Sequence, residues 1–162
     1  MITSEQIWQA LEEVKDPEIP VVSVVEMGIV RDVVVSDSGV EVTMTPTFSG
    51  CPALDVMRHD IKARVQAMGV EQVEVKTVLS PLWSTEWITP EAREKLRRFG
   101  LAPPPRSGAG GNVATIAFFD AAVCPRCGST HTSLKNSFGP TLCRMIWYCH
   151  DCQDAFEQFK PL

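Results

Sequence analysis

Two cysteine pairs, Cys124-Pro125-Arg126-Cys127 and Cys149-His150-Asp151-Cys152, restrict this chain more than any other feature. In each pair the backbone turns between two thiols, so that both can grip one ion. Twenty-one residues separate the pairs, marginally more than the usual spacing of a four-cysteine site. A module of about 50 residues is too small to fold dependably on its own core, so a bound metal is expected to supply the missing cohesion. Zinc, which prefers four soft ligands in a tetrahedron, is the expected ion ahead of iron. Disulfides are the weaker reading. The N-terminus, Met1-Ile2-Thr3-Ser4-Glu5-Gln6, lacks the basic and apolar regions of a secretory signal, and no apolar run reaches membrane-spanning length. A cytosolic, reducing location is therefore expected. Cys143 reads as a packed thiol rather than a ligand, and His131 and His150 as solvated loop residues, since four thiolates already suffice.

The rest of the 162 residues leaves room for one further domain. A net charge of -5 argues against general affinity for nucleic acid, which needs a basic field to displace counterions. Arg126, Lys135 and Arg144 are a mild basic scatter that reads as solvated surface.

Along the N-terminal part, Thr3 to Gln6 forms a capping box, and Ile7, Ala10, Leu11 and Val14 recur on one helical face. Pro17 disfavours helical geometry at Asp16, so the helix should end at Lys15-Asp16 and lead into an acidic turn, Asp16-Pro17-Glu18. Ile29 to Val35 reads as a strand, Ser36 to Gly39 as a hairpin turn, and Val40 to Thr45 as the returning strand. Ala53, Met57, Ile61, Val65 and Met68 mark a second helix that Gly69 stops, and Val73, Val75 and Leu79 a third strand. Such a crossover places its two strands in one sheet. Thr89-Pro90-Glu91 starts a last helix, with Ala92, Leu96 and Phe99 inward and Gly100 at its end. The order α-β-β-α-β-α predicts a two-layer α/β sandwich over residues 1–100. A Pro- and Gly-rich spacer over 101–112 and the ribbon module over 113–162 complete the chain.

Cys51 stands where the second strand hands over to the second helix. Pro52 suits the first helical position, which would make Cys51 the N-cap, its thiol facing unpaired N–H groups that favour the thiolate. Gly50 would leave the sulfur uncovered. The plainer alternative is a small buried apolar residue.

The set Asp16-Pro17-Glu18, Met44-Thr45-Pro46-Thr47 and Gly50-Cys51-Pro52 resembles a small domain family associated with iron-sulfur cluster assembly. The tract Pro81 to Thr89, then Leu101-Ala102-Pro103-Pro104 and the cysteine ribbon, is similar to a family of phenylacetate degradation proteins that belong to bacterial phenylacetyl-CoA epoxidase systems, over nearly the whole chain. The resemblance implies a cytosolic accessory protein in aerobic phenylacetate breakdown, distinct from the subunits that carry the oxygenase centre and from the reductase. It also implies that Cys51 is the family's reactive cysteine and that Asp16 and Glu18 are its acidic turn. Trp83 and Trp87, with Leu82 and Ile88 beside them, read as packing rather than partner anchors.

The leading expectation is a maturation factor in which Cys51 transiently holds iron or an iron-sulfur cluster for the epoxidase subunits or their reductase, while the zinc ribbon docks the partner. Self-association stays among the alternatives for the chain. An enzyme with Cys51 as nucleophile would need a base. His59, the one histidine before the spacer, lies roughly 12 Å along the same helix. A nucleic-acid-binding ribbon is the third reading, disfavoured by the charge balance.

Overall fold

A computed structural model describes residues 2–105 and 121–161. The Ser107 to Gly111 part of the expected spacer, and the expected start of the ribbon module at residue 113, lie outside them. The chain divides into two compact units, residues 1–83 with 87–92, and residues 84–86 with 93–162.

The first unit follows the expected order: α1 (Ser4–Leu11), β1 (Val30–Ser36), β2 (Gly39–Met44), α2 (Leu54–Gln66), β3 (Val73–Thr77) and the start of α3 (Pro90–Phe99). Thr3 caps α1 reciprocally: Gln6 N–H donates to Thr3 Oγ1, and Thr3 N–H to Gln6 Oε1. The helix is shorter than its apolar periodicity suggested. From Glu12 to Val14 the N–H groups reach carbonyls only three residues back, so the last turn tightens before Pro17 can act. Val14 is still buried.

β1 and β2 form an antiparallel hairpin, and β2 pairs with β3 in parallel through the crossover helix α2. Strand order is β1-β2-β3. Val33, Val42, Met44 and Val73 are buried with Ile7 and Leu11 of α1 and Met57, Ile61 and Val65 of α2, so helices form one layer and the sheet the other. Each large side chain fully buried in such a core contributes about 1.5–3 kcal/mol.

The apolar stretch Val21 to Gly28 forms turns. Ser23 and Glu26 exchange side-chain and backbone hydrogen bonds, Ser23 N–H to Glu26 Oε2 at 2.9 Å and Glu26 N–H to Ser23 Oγ at 3.0 Å, and Glu12 accepts from Ser23 Oγ at 2.8 Å. The turns end at Gly28, whose φ of +66° suits glycine. A Cβ there would stand 2.5 Å from Trp87 Cβ. Trp83 is buried and donates from Nε1 to the Met27 carbonyl, and Trp87 lies under the Arg31 guanidinium at 3.6 Å, next to a register shift in β1. Both tryptophans thus pack, as expected, but their neighbours part company: Ile88 is buried, whereas Leu82 is 76% exposed.

In the second unit, α3 runs on past Ala92 and ends at Gly100. Leu96 is buried, but Phe99, expected to face inward, is 46% exposed, because a helix closing at Gly100 leaves its final side chain beyond the packed turns. Leu101–Ala102, expected to open the spacer, instead form the short strand β4. It pairs in parallel with β7 (Ala155–Phe159), and β5 (Thr132–Asn136) and β6 (Arg144–Cys149) complete the four-stranded order β4-β7-β6-β5. Met145, Trp147, Cys149 and Phe156 share a buried cluster with Ala102, Ala122 and Cys124. Among the described residues, no helix is long and apolar enough to cross a membrane.

Candidate metal centre and the Cys51 loop

The ribbon brings its two cysteine pairs together. The four sulfurs of Cys124, Cys127, Cys149 and Cys152 all lie within 4.8 Å of one another, with Cys124 and Cys152 at 3.7 Å and Cys127 and Cys149 at 3.5 Å. A tetrahedron with zinc-sulfur bonds of about 2.3 Å has edges of about 3.8 Å, so the donor set fits a single tetrahedral ion in size and in softness.

Sequence-local geometry builds the cage. Gly128, at φ +76°, turns the first knuckle, with Gly128 N–H donating to the Cys124 carbonyl. Gln153, at φ +59°, turns the second, and Cys149 N–H donates to the Asp154 carbonyl. Side chains then join the knuckles. Arg126 meets Asp154 at 2.6 Å, and Asp151 accepts from Ser129 Oγ and meets His131 Nδ1 at 3.0 Å. These hydrogen bonds, Ser129 first, hold the Asp151 carboxyl below its ordinary value.

The thiols are prepared unequally for a cation. Backbone N–H groups, Cys152 first and Asp151 after it, aim at the Cys149 sulfur and lower its pKa to about 7. Cys152 is pushed up to about 12, first by withdrawal of its sulfur from water and then by the three neighbouring thiols. The residue is exposed overall, but the sulfur turns toward the cage. A metal would be held by these four sulfurs, and it would supply the charge that lets them all ionise.

Cys143, Thr141, His131 and His150 stand outside the four-sulfur group. Cys143 Sγ lies 3.1 Å from Thr141 Oγ1, and the two imidazoles stand 4.8 Å apart, tilted by 34°, with His150 reaching Ser133 at 3.0 Å. The exposed histidines are thus loop residues held by surface hydrogen bonds.

In the first unit, Cys51 follows β2 by a short loop and is half-buried, flanked by exposed Gly50 and Pro52. A Cβ at Gly50 would meet nothing within 4 Å, so that side of the loop is open. The expected N-cap geometry is corrected: α2 begins at Leu54 with Ala53 as its cap. Cys51 N–H donates to Phe48 and the Cys51 carbonyl accepts from Leu54, so Cys51 occupies the turn before the helix. Pro52 shifted the expected boundary because it suits that turn as well as a first helical position. The acidic turn also takes shape. Asp16 is buried, its Oδ1 accepting from Glu18 N–H and Ile19 N–H, while Glu18 is half-buried. Ser23 and Glu26 are buried polar residues that sequence reasoning missed. Their S-x-x-E spacing was the available signal, hidden inside an apolar run. His59 is exposed on α2 and lines a groove of about 350 Å³ with Asp55, Arg58, Lys62, Val73, Glu74 and Val75.

The two parts of the chain define its class, a small α/β sandwich joined to a four-cysteine metal-binding ribbon. Residues 4–77 match the family model for iron-sulfur cluster assembly proteins, and residues 111–160 match the PaaD zinc β ribbon domain. The chain is 38% identical over 155 residues to an Escherichia coli K12 protein provisionally named as one of the subunits of 1,2-phenylacetyl-CoA epoxidase, covering 96% of this chain and 91% of that one. It belongs to that PaaD-type family of epoxidase-system proteins. The chain is also 38% identical over 96 residues to an iron-sulfur protein maturation auxiliary factor of Porphyromonas gingivalis, which covers 58% of this chain and 90% of that protein. It also superimposes on a Bacillus anthracis domain of unknown function, DUF59, with a TM-score of 0.53 at 33% identity, over 57% of this chain and 89% of that one.

Proposed function

We propose that this protein is a cytoplasmic accessory factor for assembling the iron or iron-sulfur centre of a phenylacetyl-CoA epoxidase system, with Cys51 as the residue that transiently holds the cargo. The observation that carries this reading is the placement of a half-buried thiol on an open loop between β2 and α2, inside the stretch 4–77 that matches the iron-sulfur cluster assembly family model. Cargo iron takes the Cys51 sulfur as a ligand after its proton leaves, and a partner with more thiolates then removes it, a transfer that needs no change in iron oxidation state. Asp16 and Glu18 belong to the same functional surface in this reading. The four ribbon cysteines hold a structural zinc, and the ribbon serves as the docking module toward the epoxidase subunits or their reductase.

The test is reconstitution of the partner's iron centre with wild-type and Cys51→Ala protein, scored by iron incorporated per partner. Wild-type protein should accelerate incorporation and the variant should not. Equal incorporation by both proteins removes Cys51 from the mechanism. Metal analysis of anaerobically purified protein, with about one equivalent of zinc per chain expected to survive Cys51→Ala, separates the ribbon's metal from the cargo.

A further inference from the structure

The sheet of the first unit ends at β3, and the edge of that strand is open among the described residues. Val40 N–H donates to the Gln72 carbonyl, and Val78 N–H to the Met44 carbonyl. In a parallel ladder successive residues point their backbone groups to opposite sides, so the even-numbered residues of β3 bond β2 and the backbones of Val73, Val75 and Thr77 face outward. Such an edge is a template for another strand unless something guards it.

What lies beside this edge selects the visitor. The groove of about 350 Å³ runs between β3 and α2, with Val73 and Val75 on one side and Arg58, His59 and Lys62 on the other. Residues 1–92 carry six Lys and Arg against fifteen Asp and Glu, and two of those six line this groove. Arg58 is held by a 3.7 Å pair with Asp55, both side chains largely exposed, so it exchanges partners at little cost. Asp55 and Glu74 are the acidic members of the lining.

We infer that β3 accepts an extended acidic segment of a partner protein as a fourth strand of this sheet. The added backbone bonds Val73, Val75 and Thr77. Side chains on alternate positions face α2, where carboxylates meet Arg58, His59 and Lys62. Main-chain pairing supplies the attachment and the basic helix face supplies the choice of partner. This inference is independent of the role given to Cys51.

The test uses the full chain and two capped eight-residue peptides, one alternating glutamate with valine and one alternating lysine with valine, followed by residue-resolved amide hydrogen exchange. The glutamate peptide should slow exchange at Val73, Val75 and Thr77, with Glu74 and Lys76 already slow in the unbound protein. Binding should weaken roughly tenfold in Arg58→Glu/Lys62→Glu protein and fall with added salt. Equal protection by the lysine peptide, or no protection at those three amides by the glutamate peptide, overturns the inference. So does a sedimentation shift to dimer with the three amides already slow, since a second copy would then own the edge. The peptide exchange is read on wild-type protein, so the result stands whether or not the double variant folds.

Discussion

Asp16 Oδ1 accepts a hydrogen bond from Glu18 N–H at 2.8 Å, and the same oxygen takes the Ile19 N–H at 3.1 Å, so one carboxylate closes the turn that follows α1. An amide oxygen can do the same work without the charge. Asp16→Ala should lower stability by about 1–2 kcal/mol through two backbone donors left without their acceptor, and Asp16→Asn by less than about half of that. Urea unfolding measures both. If Asp16→Asn keeps its stability but supports less iron delivery than wild type, the charge itself is required, and if delivery is unchanged Asp16 is a turn-former only.

The two knuckles of the ribbon are tied by Arg126 to Asp154 and by Ser129 and His131 to Asp151. These contacts sit on the surface and add little to folding by themselves, but they fix the spacing of the sulfurs. Asp151→Asn with Asp154→Asn should speed metal release to a chromogenic chelator by about 10-fold or more, with the same far-ultraviolet spectrum when metal-loaded. Release at the wild-type rate would show that the sulfurs keep their spacing unaided.

Metal capture by this site should be steeply pH-dependent. Cys149 has its pKa lowered to about 7, so its sulfur is half ionised near neutrality, whereas Cys152, pushed up to about 12, still holds its proton there. Uptake must therefore expel protons at pH 7, and affinity falls as pH drops through the Cys149 value. The sign for the metal-free ribbon is separable. The lowered Cys149 value contributes stability that is present above the unfolded thiol value of about 8.5 and is lost as pH falls through about 7, and the raised Cys152 value works against the fold as pH climbs. Competition for zinc with a chelator between about pH 6 and 8, with proton release followed in weak buffer, checks the first statement. An affinity flat across that range would contradict it.

Gly28 turns the chain at φ +66° directly against Trp87. Gly28→Ala meets two penalties at once, about 1–2 kcal/mol for a left-handed backbone carrying a Cβ and a 2.5 Å approach to Trp87 Cβ that forces the backbone apart. A loss of about 2–4 kcal/mol in chemical denaturation is expected, with altered tryptophan fluorescence.

Elements whose cause is local were legible from residues alone. The Thr3 and Gln6 capping box, the turn before Gly39, the crossover helix stopped at Gly69 and the two knuckles all rest on interactions within a few positions. The misses have two physical sources, a partner distant in sequence and local turns that the residue types left open. Leu101–Ala102 became a strand because β7, more than 50 residues on, offers it an edge. The run Val21 to Gly28 carries strand-like residues, yet the Ser23 and Glu26 exchange and the positive φ of Gly28 fold it into turns. The Cys51 boundary slipped because Pro52 is equally at home in a turn and a first helical position, and Leu54 N–H settles it by reaching back to Cys51.

The loop carrying Cys51 begins a connection between two strands that run in the same direction, and such a connection closes only when both strands are seated. The β1-β2 hairpin needs contacts a few residues apart, whereas seating β3 must wait for about thirty intervening residues to be ordered, the slower kind of event. A chain in which β3 is not seated therefore lacks the shaped thiol loop even where the hairpin has formed. An unfolded chain bares the same thiol to water, so what the seated sheet adds at Cys51 is shelter, a half-buried setting that the loose chain lacks.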